Sequence, residues 1–207
     1  IDQETVRAEA ERGDADHRAF LSLIENIKKF AFYDDLRSVM TAKGADLEDH
    51  ISKGRFGEIL GHLLTSRGLD YARLPKGLIK FHTYADHSRT PLEEHLVEAA
   101  AYARDKSGVA RIHFTVSQDH KMRMAQHLEN VRGRFEGEGV RFDIGFSVQR
   151  PSTDTIAVDL DNRPFRTDDN KLLFRAAGHG ALLENLNDIG GDIIFIKNID
   201  NVVPDGL

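Results

Sequence analysis

The chain has 207 residues, 40% apolar and 30% charged, with a net charge of −6 and no cysteine. That length suits one good-sized domain or a domain with an appendage, and the charge argues against nucleic-acid binding through bulk positive charge. The absence of cysteine excludes disulfides, thiolate metal sites and cysteine nucleophiles, and it fits a reducing, cytoplasmic compartment. No apolar stretch approaches the roughly 18 residues of a membrane span and no signal peptide is visible, so neither a membrane nor nucleic acid is expected as a partner. The chain begins with Ile1 rather than Met and stops at Leu207, just after a candidate site loop. Both ends read as those of a piece of a longer protein.

Residues 1–70 read as helices. Asp16 is placed to cap a segment with Phe20, Leu21, Ile24 and Ile27 on one face. Phe32, Leu36, Val39 and Met40 form a second stripe. Ile59, Leu60, Leu63 and Leu64 form a third, ended near Gly68, with Gly44 and Gly54 as punctuation. Asp46, Glu48, Asp49 and His50 read as a solvated helix start, because acidic residues favour first turns. The boundary of this helical part is set at 74/75.

From Leu74 the pattern changes to alternating strands and helices. Gly77 to His82 is a short strand candidate. Pro91 to Arg104 is a helix with proline in its first turn. Ala110 to Val116 alternates Ile112, Phe114 and Val116, as a strand does. Ser117 is expected to cap a helix running from Gln118 to Phe135, and Val140 to Val148 is a further strand. Thr155 to Val158 and Lys171 to Phe174 read as short strands around the turn Asp161-Asn162-Arg163-Pro164. Ala181 to Ile189 has helical spacing at 182, 183, 186 and 189. Ile193-Ile194-Phe195-Ile196 is a continuous run of the kind that forms a strand covered on both faces. Strand–helix alternation predicts an α/β sheet of mostly parallel strands.

Two polar clusters bracket that last helix and strand. Gly178-His179-Gly180 precedes the helix, where glycines let backbone amides approach an anion. Asn198-Ile199-Asp200-Asn201 follows the run at 193–196, and ligands of open α/β sheets bind at the carboxyl ends of strands. A carboxylate there can hold a divalent cation. Each cluster alone also reads as a Gly-rich turn and a polar strand exit. Weaker candidates lie elsewhere. His120 and His127 stand two helical turns apart, too far for one zinc in a His-x-x-x-His arrangement. Ser117 follows a strand and precedes a helix but lacks the Gly-x-Ser-x-Gly context. His82, Asp86 and His87 lie in a loop beside the Pro75-Lys76 step.

Pro75-Lys76-Gly77-Leu78, Phe146-Ser147-Val148-Gln149, Gly178-His179-Gly180 and Asn198-Ile199-Asp200-Asn201 resemble, in order and context, motifs of the UDP-sugar pyrophosphorylases, a branch of the sugar nucleotidyltransferases. More closely, Gly178 to Pro204, Pro75 to His82 and Arg89 to Ala103 resemble a bacterial family, the domain of unknown function 4301 family. The family-level likeness covers most of 75–207. The likeness to pyrophosphorylases rests on the four short motifs.

The resemblance implies a fold and a set of roles. The fold would be a fragment of a nucleotide-diphospho-sugar transferase-like sheet, GT-A or Rossmann-like, over 75–207, with 1–74 as a helical insertion. Lys76 would neutralise nucleotide phosphates and Gln149 would hydrogen-bond a pyrimidine edge. Gly178 and Gly180 would let base or ribose lie against backbone. His179 would contact the nucleotide or the sugar phosphate, Asn198 would help bind the nucleotide, and Asp200 would hold Mg²⁺. The implied reaction joins a sugar 1-phosphate to a nucleoside triphosphate with release of pyrophosphate. A non-catalytic nucleotide or sugar-phosphate binder and a glycosyltransferase of the same fold are the alternatives, with a nucleoside triphosphate or nucleotide sugar and a sugar 1-phosphate as the expected partners. Two departures matter. No glycine-rich loop followed by Thr-Arg precedes Lys76, and the later lysine or carboxylate of the pyrophosphorylases is absent. This piece alone is therefore expected not to turn over.

Overall fold

The computed structural model describes residues 3–137 and 139–206. The chain is mixed α and β, and it divides into two compact units, Ile1–His95 with Ile199–Leu207, and Leu96–Asn198. The change from helices to strands near residue 74 therefore falls inside the first unit.

The first unit opens with five helices: α1 (Gln3–Glu11), α2 (Ala15–Glu25), α3 (Tyr33–Ala42), α4 (Leu47–Ser52) and α5 (Phe56–Leu64). Their apolar stripes meet in one core of Val6, Ile24, Ile27, Phe32, Leu36, Met40, Leu47, Phe56, Ile59 and Leu63. Amphipathic spacing thus decides both that these segments are helical and which face is buried. The cap of α2 is Asp14 rather than Asp16: its carboxylate accepts the amide of His17 at 2.8 Å. Asp14 has the extended backbone an N-cap needs, whereas Asp16 already lies inside the first turn. Asp46 caps α4 through the amide of Asp49 at 2.7 Å. His50, expected to be solvated, is buried, with its ring Nδ1 on the Asp46 carbonyl at 2.6 Å.

The segment Gly77–His82 is not a strand. Pro75 leads into a 3₁₀ turn over Lys76–Leu78, with the amides of Leu78 and Ile79 bonded to the carbonyls of Pro75 and Lys76. Those local bonds take the groups a sheet ladder would use. A two-residue hairpin follows, β1 (His82–Thr83) antiparallel to β2 (Ser88–Arg89). Helix α6 (Pro91–Tyr102) is closed at its start by a capping box. Thr90 Oγ1 accepts the Glu93 amide at 3.4 Å, and Glu93 Oε2 accepts the Thr90 amide at 2.8 Å.

In the second unit, β3 (Val109–Val116) pairs in parallel with β4 (Arg141–Val148), joined through α7 (Gln118–Val131). Ala110, Phe114, Val116 and Phe142 are buried, and α7 buries Met124, Leu128 and Val131. Ser117 stands at the N-cap of α7 but makes no side-chain cap bond, and the helix gives way to a 3₁₀ turn at Arg132. Beyond β4, β5 (Thr155–Ile156) pairs antiparallel with β6 (Phe174–Arg175). The region 181–189 is shorter than one regular helix. A 3₁₀ turn over His179–Leu182 runs into α8 (Leu183–Asn187). Asn187, Asp188 and Gly190-Gly191 are poor helix formers and end it.

The run Ile193–Ile196 forms no strand. Ile193 is 80% exposed, Phe195 64% and Ile196 63%. A strand needs at least one neighbour to pair with, and among the described residues neither β3 nor β4 pairs with this run. Phe195 instead meets the Tyr102 ring edge-on, and Lys197 pairs with Glu98. Asp200 accordingly sits in a turn, not at a strand exit.

The turn entering β3 is organised by Asp105. Its Oδ1 accepts the amides of Ser107 at 2.8 Å and Val109 at 3.0 Å, and Oδ2 pairs with Arg111 at 2.8 Å. The Ser107 hydroxyl, the Val109 amide and Arg111 hold this carboxyl well below the usual range. A depressed carboxyl contributes stability above its unfolded value, about 3.9, and loses it as pH falls toward the folded value. Asp105→Asn should therefore melt earlier than the wild type at pH 7, with the gap narrowing as pH drops below about 3.9. A gap that stays constant down to pH 2.5 would show that the carboxylate charge contributes nothing.

Candidate functional site

In the first unit the Pro75-Lys76 step presents an exposed lysine. The 3₁₀ turn buries Gly77 and leaves the Lys76 side chain 66% exposed. Its ammonium donates to Asp200 Oδ2 at 2.7 Å, across 124 residues of sequence. Asp200 is 39% exposed, and the Lys76 hydrogen bond, with its own backbone amide, lowers its carboxyl below the ordinary value. Two motif residues thus share one place: a cation suited to phosphate and a carboxylate suited to a divalent ion. Both remain accessible to solvent.

The segment bearing Asp200 is tethered within that unit. His95 Nε2 donates to the Ile199 carbonyl at 3.2 Å. Farther on, Asp205 is held twice: its carboxylate pairs with Arg89 at 2.8 Å, and its amide donates to the Tyr84 hydroxyl at 3.2 Å. Behind these lies Glu94, 1% exposed. It accepts from Tyr84 at 2.7 Å, from His82 Nδ1 at 2.9 Å and from Arg89 at 3.4 Å. The Arg89 guanidinium also lies 4.1 Å from the Tyr84 ring centroid, and its Nε donates to His87 Nε2 at 3.1 Å. His82 must carry its proton on Nδ1 to meet the carboxylate, and His87 must leave Nε2 bare to accept from Arg89.

The second unit holds the other motif residues. The Gln149 amide bonds the Val116 carbonyl at 3.0 Å, so Gln149 sits just past the carboxyl ends of the parallel pair. Gly178 has φ 64° and ψ −179°, a conformation essentially restricted to glycine. Among the described residues, chain neighbours aside, no atom lies within 4 Å of a Cβ placed on Gly178 or Gly180. The backbone there is open on one side. The His179 side chain lies outside the described residues, and Asn198 is exposed.

The Gly178–Gly180 loop is fixed to the end of β4. Asn185, buried in α8, donates to the Val148 carbonyl at 2.9 Å and to Ser147 Oγ at 2.9 Å. Thr153 donates to the Ala181 carbonyl at 3.1 Å, and Arg150 pairs with Glu184 at 3.4 Å and with Asp188. On the same polar sheet face His113 Nε2 meets Ser147 Oγ at 2.8 Å, and burial lowers the His113 pKa. Ser117 has no part in this cluster. Asn185, Glu94, Tyr84 and Arg89 escape a motif reading, and Ser147 enters one only as a neighbour of Gln149; the Thr90-x-x-Glu93 box is the one local signal that the start of α6 is specially built.

Among the described residues no three histidine or carboxylate groups converge as a metal cage. Asp200 offers one carboxylate, and Mg²⁺ usually takes one or two together with phosphate oxygens and water. No described helix is long and apolar enough to cross a membrane. No curated protein and no solved structure matches the chain. The model of one family, described as Domain of unknown function (DUF4301), matches residues 2–207. On that match, which takes in the Pro-Lys step, the Gly-His-Gly loop and the Asp200 turn alike, the chain belongs to this family.

Proposed function

We propose that the protein is the core of a nucleotidyltransferase that makes a nucleotide sugar from a sugar 1-phosphate and a nucleoside triphosphate. The observation that carries the reading is the direct contact of Lys76 with Asp200. A sugar phosphate oxygen would attack the α-phosphorus as the bond to pyrophosphate breaks, and no protein nucleophile is needed. Lys76 would hold the phosphates and offset their charge, while Asp200 would take the divalent cation that enters with the triphosphate. That cation supplies charge stabilisation for the transferring phosphoryl group. In the ligand-free protein each side chain neutralises the other; with ligand each would exchange its partner for one of opposite sign to itself. The β3–α7–β4 unit, with Gln149 past its carboxyl end, by itself supports a GT-A-like or Rossmann-like sheet, and on that unit Gln149 and the Gly178–Gly180 loop are candidate contacts for a nucleotide base.

A non-catalytic nucleotide or sugar-phosphate binder is the second reading, since an exposed lysine suffices to hold phosphate. Thermal shift of the full-length protein with nucleoside triphosphates and UDP-sugars, with and without Mg²⁺, tests both. A ligand at a hundred times its Kd should raise the midpoint by about 5–10 °C. The shift should grow with Mg²⁺ and vanish in Lys76→Met. An equal shift in that variant, or none in the wild type, would overturn both readings. A shift without pyrophosphate release from a panel of sugar 1-phosphates would favour the binder.

A further inference from the structure

The turn that carries Asp200 is fixed at its far end by a buried charged network, and this suggests a purpose for groups with no contact to the proposed substrates. Glu94 is fully buried, and a buried carboxylate is tolerated only when its lone pairs are met by donors. Tyr84, His82 and Arg89 meet them. Two of those donors have a second task. The Tyr84 hydroxyl, having donated its proton to Glu94, accepts the Asp205 amide; Arg89, 11% exposed, spans Glu94 and Asp205 with one nitrogen. Recognition of both the backbone and the side chain of Asp205 is a specific clamp rather than a surface ion pair. With His95 on the Ile199 carbonyl, it pins the seven residues 199–205 at both ends, and Asp200 lies between the pins.

We propose that Glu94, Tyr84 and Arg89 act as positioning residues: acting through Asp205, they hold the strap 199–205 so that Asp200 faces Lys76. The proposal rests on the reading of Asp200 as the cation ligand, and it assigns a role beyond that reading to groups the sequence motifs do not mark. Glu94 orients the two donors, the donors fix Asp205, and Asp205 limits where the Asp200 turn can stand. Cation and phosphate must be met within a fraction of an ångström, and such precision is set by the groups behind the ligands.

The test uses the full-length protein and the variants Tyr84→Phe, Asp205→Asn and Asp205→Glu. Tyr84→Phe removes one hydroxyl from the clamp and Asp205→Asn removes its charge; neither touches substrate. Amide hydrogen exchange at 199–206 should speed up about 10-fold in the first two variants, while exchange in α3 and α5 stays unchanged. The Mg²⁺ concentration for half-maximal nucleotide binding should rise about 10-fold, as for other groups that support a metal ligand. Asp205→Glu, which keeps the charge, should recover most of both. A purely structural role would speed exchange in the helical core as well and leave the Mg²⁺ requirement alone, and that result would overturn the proposal. So would unchanged exchange at 199–206. Reductive methylation of Lys76 decides the matter independently of any ligand. A displaced strap takes Asp200 off the already exposed amine and speeds its modification, and an unaltered rate beside a loosened strap would refute the coupling. If the wild type binds neither nucleotide nor Mg²⁺, the nucleotidyltransferase reading fails, and the exchange and methylation arms still decide the clamp.

Discussion

Asp200→Asn in the full-length protein should lower Mg²⁺-dependent nucleotidyl transfer by about 100-fold or more, while the fold and thermal midpoint stay essentially unchanged. The size of the loss follows from the role: removing a group one step behind a metal ligand already costs about 10–100-fold, and Asp200 is proposed as the ligand itself. An amide keeps the shape and one lone-pair oxygen but cannot neutralise a divalent cation. The fold should not notice, because the carboxylate is solvent-accessible and its partner is a still more exposed lysine. Lys76 left without Asp200 can be hydrated where it stands. The readout is pyrophosphate release at saturating sugar 1-phosphate, with the Mg²⁺ dependence fitted separately. Lower turnover with a raised Mg²⁺ requirement marks a cation ligand. Lower turnover with an unchanged requirement would move Asp200 out of that role, and normal turnover would remove it from the site. Lys76→Met should instead raise the nucleotide KM as well as lower kcat, since a lysine on phosphate acts in both ground and transition states.

The helical part of the fold was legible because each stripe recurs at helical spacing and supplies Ile24, Ile27, Phe32, Leu36, Met40, Ile59 and Leu63 to the core, whereas Val6, Leu47 and Phe56 lie outside the stripes. The β3–α7–β4 unit was legible for the same kind of reason, with alternation in 110–116 and a long amphipathic helix between strands. Two strands were misread by one physical ambiguity. Ile193–Ile196 and Gly77–His82 have strand-like side chains, but a strand is a relation between segments, and composition does not say whether a neighbour is there to pair. At 76–78 the Pro-Lys-Gly context closed local bonds first. Asp14 and Asp16 are both good caps, and backbone geometry alone chose between them. At the candidate site, Lys76 and Asp200 could be named from short motifs, and they lie in contact. Glu94 could not be. A glutamate in a helix reads as solvated, and nothing local reveals that His82, Tyr84 and Arg89 converge on it from a hairpin. Asn185 escaped for a like reason: its partners, Ser147 and the Val148 carbonyl, are nearly forty residues away in sequence.

Gly108→Ala should be among the most damaging single-methyl additions in the chain. Gly108 has φ +83°, a conformation that side chains with a Cβ rarely adopt, and it closes the Asp105 turn that starts β3. Its amide bonds the Asp105 carbonyl at 3.0 Å, and its carbonyl accepts the Arg141 amide at 2.9 Å, so it fixes where β4 begins alongside β3. A Cβ there would fall 2.0 Å from the Gly139 carbonyl oxygen. That obstacle is backbone rather than the tip of a flexible side chain, so relief requires β3 and β4 to part at their starts. Left-handed strain costs about 1 kcal/mol or more, and forced backbone displacement about 1–3 kcal/mol. A total of about 2–4 kcal/mol is a large share of a typical domain's stability, and it should lower the midpoint by about 5–15 °C. Gly133→Ala is the control, since it has no positive φ and no atom within 4 Å of its added methyl. It should melt with the wild type. The damage should also reach Gln149 and the Gly178–Gly180 loop: the parallel register that begins at Val109↔Arg141 ends at Val116↔Val148, where Gln149 and the Asn185 anchor of that loop are set. A shift at the start of the pair is carried along an eight-residue ladder of hydrogen bonds to that end. Nucleotide affinity of Gly108→Ala at 10 °C, well below its midpoint, should therefore fall even while the protein is fully folded. Wild-type stability in this variant would show that the turn yields without parting the strands. Lowered stability with intact affinity would show that the register at Gln149 is set locally, by Asn185 and Thr153, rather than from the start of the sheet.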